Sequence, residues 1–258
     1  MKDAPLSTYE RRSQLLRYIE QARRVSVSTI CERFQISEAT ARRDLGILAE
    51  QAKIQRVHGG AISALQAPPE LPVYQRMAEQ SESKQRIGRV AAELIKDGET
   101  VFLGSGTSVL EVARALPARA DLTVITNSLL IVNELIDRPT IAVIVLGGQF
   151  RRSELSMIGH ITEQALADLR TDKVIIGIHA ISAEDGLTNR YLPETMTDRR
   201  ILQAGKQVIV VADHTKLGRV STVSVAPLSV LDTLVTDQEA PPDFVESLRL
   251  KGVRVITA

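Results

Sequence analysis

The sequence predicts an α/β chain in two parts: a small helical head closed by a short strand, then a larger domain built on a mostly parallel sheet. Three observations predict it. In roughly the first fifty residues, apolar side chains recur at helical spacing in three short blocks. The stretch Ala67-Pro68-Pro69-Glu70-Leu71-Pro72 then breaks the periodicity and favours extended backbone. Beyond it, short β-rich apolar runs alternate with helical patterns, as in parallel sheets covered by helices on both faces. The expected division is a head over 1–62, a linker over 63–81 and a body over 82–258.

The head reads as three helices and a hairpin-like wing. Arg11 to Ala22 places Leu15, Leu16, Ile19 and Ala22 on one face. Val25-Ser26-Val27-Ser28 interrupts that helix, and Ser26 or Ser28 can cap the next. Ile30, Cys31 and Phe34 give the second helix its core side, and Gln35-Ile36 makes a tight turn with Ile36 inward. Ser37 can cap the third helix, whose apolar stripe is Ala41, Leu45, Leu48 and Ala52. Arg42 and Arg43 project from the opposite side. Ile54 to Val57 forms a strand ending in His58-Gly59-Gly60. A recognition helix with paired arginines at its exposed start, followed by a wing, is the shape that enters a DNA major groove. The candidate DNA contacts are Ser37, Glu38, Thr40, Arg42 and Arg43 on the helix, with Arg56, His58 and Gly59 on the wing. Glu38 is tolerable beside DNA only if it accepts from cytosine or orients an arginine.

In the body, Glu82 to Ile95 is an amphipathic helix through Ile87, Val90, Ala91, Leu94 and Ile95. The expected strands are Thr100–Leu103, Leu122–Thr126, Thr140–Leu146, Lys173–Ile178, Gln207–Ala212, Thr233–Thr236 and Val253–Ile256. Helices are expected at Ser108–Leu116, Leu129–Ile136, Ile161–Leu169, Thr195–Ala204 and Pro242–Leu250.

Open parallel sheets bind ligands beyond the carboxyl ends of their strands. Those ends carry Gly104-Ser105-Gly106-Thr107-Ser108, Thr126-Asn127-Ser128, Gly147-Gly148 and Asp213-His214-Thr215-Lys216-Leu217-Gly218. Glycines let backbone amides approach an anion, hydroxyls add donors and a helix start favours negative charge. No Gly-Lys-Ser/Thr ends the first loop, and the third glycine of a dinucleotide fingerprint is missing. A small phosphorylated ligand fits the set better. Arg151-Arg152 reads equally as a helper of phosphate binding or as a solvated pair. His160, His179 and His214 match no metal spacing.

Composition limits the choices. Aromatics are 3% and Trp is absent, which argues against binding single strands by base stacking. Net charge is +1, yet residues 1–66 hold 11 Lys and Arg against 7 Asp and Glu, while the remainder holds 21 against 24. A basic head on a mildly acidic body suits phosphate-backbone contact at one end. Cys31 is the single cysteine, read as a small core residue, so no intrachain disulfide forms. No leader-like or membrane-length apolar run appears, and a cytoplasmic chain is expected.

Arg42-Arg43-Asp44-Leu45 with His58-Gly59-Gly60-Ala61 resembles the winged helix-turn-helix of DeoR-family transcriptional regulators. The strand-end motifs above, with Gly186-Leu187-Thr188, resemble that family's sensor domain, which is similar to sugar-phosphate isomerases and deaminases. The resemblance implies a repressor of a carbohydrate-use operon that binds double-stranded operator DNA as a homodimer or homotetramer. A phosphorylated sugar or sugar-acid effector would relieve it. By resemblance, Ser105, Gly106, Thr107 and Ser108 hold the phosphate with Asn127 and Lys216. Ser128 and Gly148 belong to the same rim, and Asp213 and Glu194 face the sugar. No catalytic residue, metal or cofactor is implied. The chain departs from the family at Ala41, Ala52 and Ala180, and it lacks a lysine in 189–197, for which Arg190 or Arg199 can substitute. The rival reading is a sugar-phosphate isomerase or deaminase with an appended DNA-binding head.

Overall fold

The computed structural model describes residues 8–22, 24–50, 54–57, 59–63, 72–117 and 121–258. The contacts divide the chain into two units, residues 1–70 and 71–258. Expectations for Ala52 and His58, and for the proline-rich 64–71, fall outside the described residues.

The head contains α1 (Thr8–Ala22), β1 (Arg24–Ser26), α2 (Val27–Phe34), α3 (Glu38–Glu50), β2 (Ile54–Val57) and β3 (Gly60–Ser63). Ser26 is the cap of α2, accepting from the Thr29 amide at 3.1 Å. Gln35 closes α2 in the left-handed region, at φ 50°. Ser37 accepts from the Thr40 amide at 3.2 Å and so starts α3. The core joins Leu15, Ile19, Ile30, Ala41, Leu45, Leu48 and Ile54, with Ile36 and half-buried Cys31 at its margin. The sequence reading missed β1, which pairs antiparallel with β3 and turns the wing into a three-stranded sheet. Gly59 takes the turn at φ 78°, and a Cβ at Gly60 would lie 2.1 Å from the Val25 carbonyl oxygen. The paired glycines therefore serve a turn and a close strand contact.

The body opens with α4 (Val73–Arg76) and α5 (Ser81–Glu93). Residues 72–80, read from the sequence as linker, are instead built into this unit: the Val73 amide donates to Ser153 O at 2.8 Å, and Arg76 pairs with Glu154. Then come β4 (Thr100–Leu103), α6 (Thr107–Ala115), β5 (Leu122–Thr126), α7 (Leu129–Leu135) and β6 (Ile141–Val145). A hairpin, β7 (Gln149–Arg151) and β8 (Ser156–Ile158), precedes α8 (His160–Ala167) and β9 (Thr171–Ile176). Next are β10 (Ala180–Ser182), β11 (Gly186–Asn189), α9 (Leu192–Ala204), β12 (Gly205–Val211) and β13 (Val223–Ala226). β14 (Thr233–Thr236), α10 (Pro242–Leu250) and β15 (Arg254–Thr257) finish the chain.

Seven strands form one parallel sheet in the order β15-β14-β12-β9-β4-β5-β6. Alternate residues serve two cores. Val101, Leu103, Ile175 and Ile209 join α5, α6 and α7, whereas Phe102, Val174, Val208 and Val210 join α8, α9 and α10. The hairpin and the antiparallel sheet β10-β11-β13 were not foreseen. Their strands are three or four residues long, too short to display an alternation. Ala180 sits buried in β10 at a negative φ, so the backbone there does not call for glycine.

Candidate functional site

On the head, periodicity and capping place the arginines outward. Ala41, Leu45 and Leu48 face the core, which leaves Arg42 and Arg43 exposed near the start of α3. Arg42 donates through Nε and Nη2 to Glu38 Oε1, at 2.8 and 2.5 Å, with side chains 51% and 63% exposed. Glu38 therefore orients an arginine. Arg43 makes no hydrogen bond or ion pair with any other described residue. Ser37 and Thr40 hydroxyls lie 2.9 Å apart, and Ser37 is already engaged as the cap. Gly59 is exposed at the wing's turn, and the Arg56 backbone lies in β2.

Asp44, one turn beyond Thr40, does the opposite of its neighbours. It is fully buried and accepts from Arg11 Nε and Arg12 Nε, each at 2.7 Å. Burial works against its charged form, but the hydrogen bonds and charges of the two arginines outweigh it and hold the carboxyl below the ordinary range. The pair fastens α1 to α3 and fixes the angle at which α3 is presented.

In the body, the first strand of the seven-stranded sheet, β4, lies inside the sheet. Later strands add first on the β5 side and then on the β9 side, so the switch point falls between β4 and β9. The loops after these strands touch: a Cβ on Gly177 would lie 3.9 Å from the Ser105 carbonyl oxygen and 4.0 Å from that of Val211. The structure thus brings the β4, β9 and β12 loops onto one rim, with those after β5 and β6 beside them. Gly106, at φ 112°, starts α6 with no side-chain cap, leaving first-turn amides for a ligand. The hydroxyls of Ser105, Thr107 and Ser108 make no hydrogen bond to another described residue.

Several expected ligand residues have other engagements. Asn127 Nδ2 donates one N–H to Met157 O at 2.8 Å, an acceptor that fixes the amide's orientation, and its carbonyl oxygen is buried with no partner among the described residues. That oxygen suits a sugar hydroxyl, while the second N–H of the same amide can still donate to a phosphate. Ser128 Oγ and, across the bridge to β8, Ser156 Oγ are buried without partners. Gly148 is required by packing, since a Cβ there would meet Thr162 Oγ1 at 2.1 Å. Asp213 accepts through Oδ1 from the Thr215 amide and hydroxyl, capping the turn that carries Lys216. The Lys216 ammonium makes no hydrogen bond or ion pair with another described residue. Glu194 faces Arg151; both are buried, 7% and 8% exposed, and Arg151 also stacks over Tyr191 at 4.6 Å. Arg151 is therefore no solvated loop residue, whereas Arg152 is exposed beside Phe150. Arg199 donates to Ser224 O at 2.5 Å and Arg190 is exposed, so the cation meeting Glu194 is Arg151.

The sequence reading passed over Lys84, Asn189, Asp198, Asp237 and Glu239. Lys84 is buried on α5, donating to the carbonyls of Arg76 and Glu79 at 2.7 and 2.5 Å. Burial lowers its pKa, Asp213 opposes this, and Lys216 and Arg76 add to it. Its signal was its place in the apolar register, three residues before Ile87 and seven before Ala91. His179, after β9, presents its backbone N and Nδ1 to Asn189 Oδ1, each at 3.2 Å, and Asn189 Nδ2 donates to Asp198 at 2.5 Å. Burial and the charge of Glu194 push the Asp198 pKa well up, against the pull of Arg151 and Asn189. His214 Nδ1 lies 3.0 Å from Asp237, and with Glu239 these form a group whose ligand atoms lie within 4.8 Å of one another. Asp237 also accepts from the His214 and Glu239 amides, and Glu239 faces Arg86, so the group is spent on its own turn.

Comparison with known proteins follows the two units. The model of the DeoR-like helix-turn-helix domain matches residues 11–67, and that of the DeoR C terminal sensor domain matches 79–238. The chain is 37% identical over 247 residues to the HTH-type transcriptional repressor GlcR of Bacillus subtilis, covering 96% of this chain and 95% of that one. It is 34% identical to the glycerol-3-phosphate regulon repressor of Escherichia coli, over 93% of this chain and 94% of the relative. The transcriptional repressor AccR of Agrobacterium fabrum is likewise 34% identical, over 90% of both. Among solved structures, ribose 5-phosphate isomerase A of Methanocaldococcus jannaschii matches with a TM-score of 0.40 at 16% identity, over 54% of this chain and 55% of that one, too slight a likeness to bear on function. No helix among the described residues is long and apolar enough to cross a membrane.

Proposed function

This chain belongs to the DeoR family of DNA-binding regulators, and from that premise we propose that it represses a carbohydrate-use operon and is relieved by a phosphorylated sugar or sugar acid. The observation that carries the proposal is the uncapped start of α6 on the same sheet edge as Lys216: helix-start amides with no side-chain cap, and three hydroxyls and an ammonium with no side-chain partner among the described residues, share that edge with several hydroxyl-accepting groups. Amides, hydroxyls and the cation suit a phosphate; Asn127 Oδ1 and the Glu194 carboxylate suit sugar hydroxyls.

The DNA contacts in this reading are Arg43, with no partner of its own, and Arg42, aligned by Glu38, backed by Thr40 and by Arg56, His58 and Gly59 of the wing. One head buries too little for tight operator binding, so a homodimer or homotetramer on a palindromic or repeated site is expected. The effector releases DNA only to the extent that it prefers one of two arrangements of the protein.

The test pairs a thermal-shift panel of sugar phosphates and sugar-acid phosphates with gel shifts on the promoter of the neighbouring genes. A ligand at about 100-fold excess over its Kd should stabilise the body by about 2.7 kcal/mol and abolish the retarded band. Lys216→Ala should keep the band and lose the response. A normal response in that variant removes Lys216 from the site, and turnover of any sugar phosphate by the chain favours the enzymatic reading instead.

A further inference from the structure

We propose that Lys84 couples the effector rim to residues 72–80, the segment through which the chain enters the body from the DNA-binding head. The inference rests on the phosphate reading of the rim given above.

Residues 72–80 are fastened at three points. The Val73 amide donates to Ser153 O, and the Arg76 guanidinium faces Glu154. Ser153 and Glu154 form the turn of the hairpin whose first strand carries Arg151, the partner of Glu194. The third point is Lys84 Nζ, which donates to Arg76 O and Glu79 O. Arg76 O ends the four-residue α4, where it also accepts from the Glu79 amide at 3.2 Å, and Glu79 O lies three residues beyond, so the ammonium ties the helix end to the turn that follows it. Lys84 also feels the charges of Asp213 and Lys216, both on the turn after β12.

One buried ammonium therefore bonds to residues 72–80 and senses the charges of the rim. A lysine is a compact point charge with rotatable donors, and its burial here is tolerated because two carbonyls and a nearby carboxylate compensate it. An anion held by Lys216 and the α6 amides adds a strong attraction on the rim side. It draws Nζ away from Arg76 O and Glu79 O and weakens the hold on 72–80. The differential attraction of Lys84 in the two arrangements is what the ligand can spend on the head.

Amide hydrogen exchange on the full chain, with and without inorganic phosphate, tests this. Phosphate should slow exchange over 104–110 and speed it over 73–79 by about threefold or more, since local opening follows the lost bonds. Lys84→Met should exchange about tenfold faster over 73–79 at rest, with no further response there to phosphate, while 104–110 is still protected. Protection at 104–110 with no change at 73–79 in the native chain overturns the coupling and leaves the phosphate reading intact. Silence in both segments sinks the phosphate reading and the coupling with it. The native-chain comparison decides the matter even if Lys84→Met does not fold.

Discussion

The recognition helix and the strand-end rim both use arginine, lysine and carboxylate, but they keep them in different places. On α3, Arg42 and Arg43 stand in water and their nearest anion, Glu38, stands in water with them. On the rim, Arg151, Glu194, Glu154 and Lys84 are removed from solvent and held by paired contacts. A polyanion met in water rewards exposed charge, because neutralising phosphates releases counterions. A small ligand in a recess needs charge that is already desolvated and fixed. Only Asp44 breaks the pattern in the head, since its task is to hold one helix against another.

The predictions press on that contrast, largest effect first. Asp44→Ala leaves Arg11 and Arg12 without their shared carboxylate and should cost the head about 2–3 kcal/mol, below the range for fully buried pairs because the arginines reach solvent. Exchange of the α1 and α3 amides reads it, and an effect under about 0.5 kcal/mol, the size of an exposed pair, would erase the distinction between Asp44 and Glu38. Since the Asp44 pKa is depressed, its contribution is present above the ordinary carboxylate pKa and is lost as pH falls through the folded value.

Arg43→Ala should weaken operator binding by about 1–3 kcal/mol in gel shifts while leaving thermal shifts by the effector unchanged. An unchanged operator affinity would make Arg43 a solvated face and nothing more. Operator affinity should also fall steeply and linearly with the logarithm of salt concentration, and a flat profile would remove phosphate contacts from the account.

The rim is tested through Asp198. Its raised pKa means that stability is full below the ordinary carboxylate pKa and declines as pH rises toward the folded value. Asp198→Asn keeps an oxygen for the Asn189 amide and should flatten that slope in denaturant melts at successive pH values. A slope that survives assigns it to another group. The smallest effect belongs to Glu38→Gln, about 0.2–0.5 kcal/mol in head stability, as for an exposed pair one helical turn apart. A much larger loss would show that Glu38 does more than align Arg42.

The sequence by itself determined the periodic elements. Ala41, Leu45 and Leu48 could only face inward, so Arg42 and Arg43 had to face out. The helices of the body were legible for the same reason, and its seven strands because a strand covered on both faces reads as a short continuous apolar run. Residues 72–80 were misread as linker because Pro72 and a four-residue helix carry no period. Tertiary structure alone decided the partners. Arg151 and Glu194 lie 43 positions apart, and Lys84 lies 132 positions before Lys216, separations at which no local pattern operates. Only the sheet order, with its switch between β4 and β9, brings those loops to one edge and settles which charges are desolvated and which remain in water.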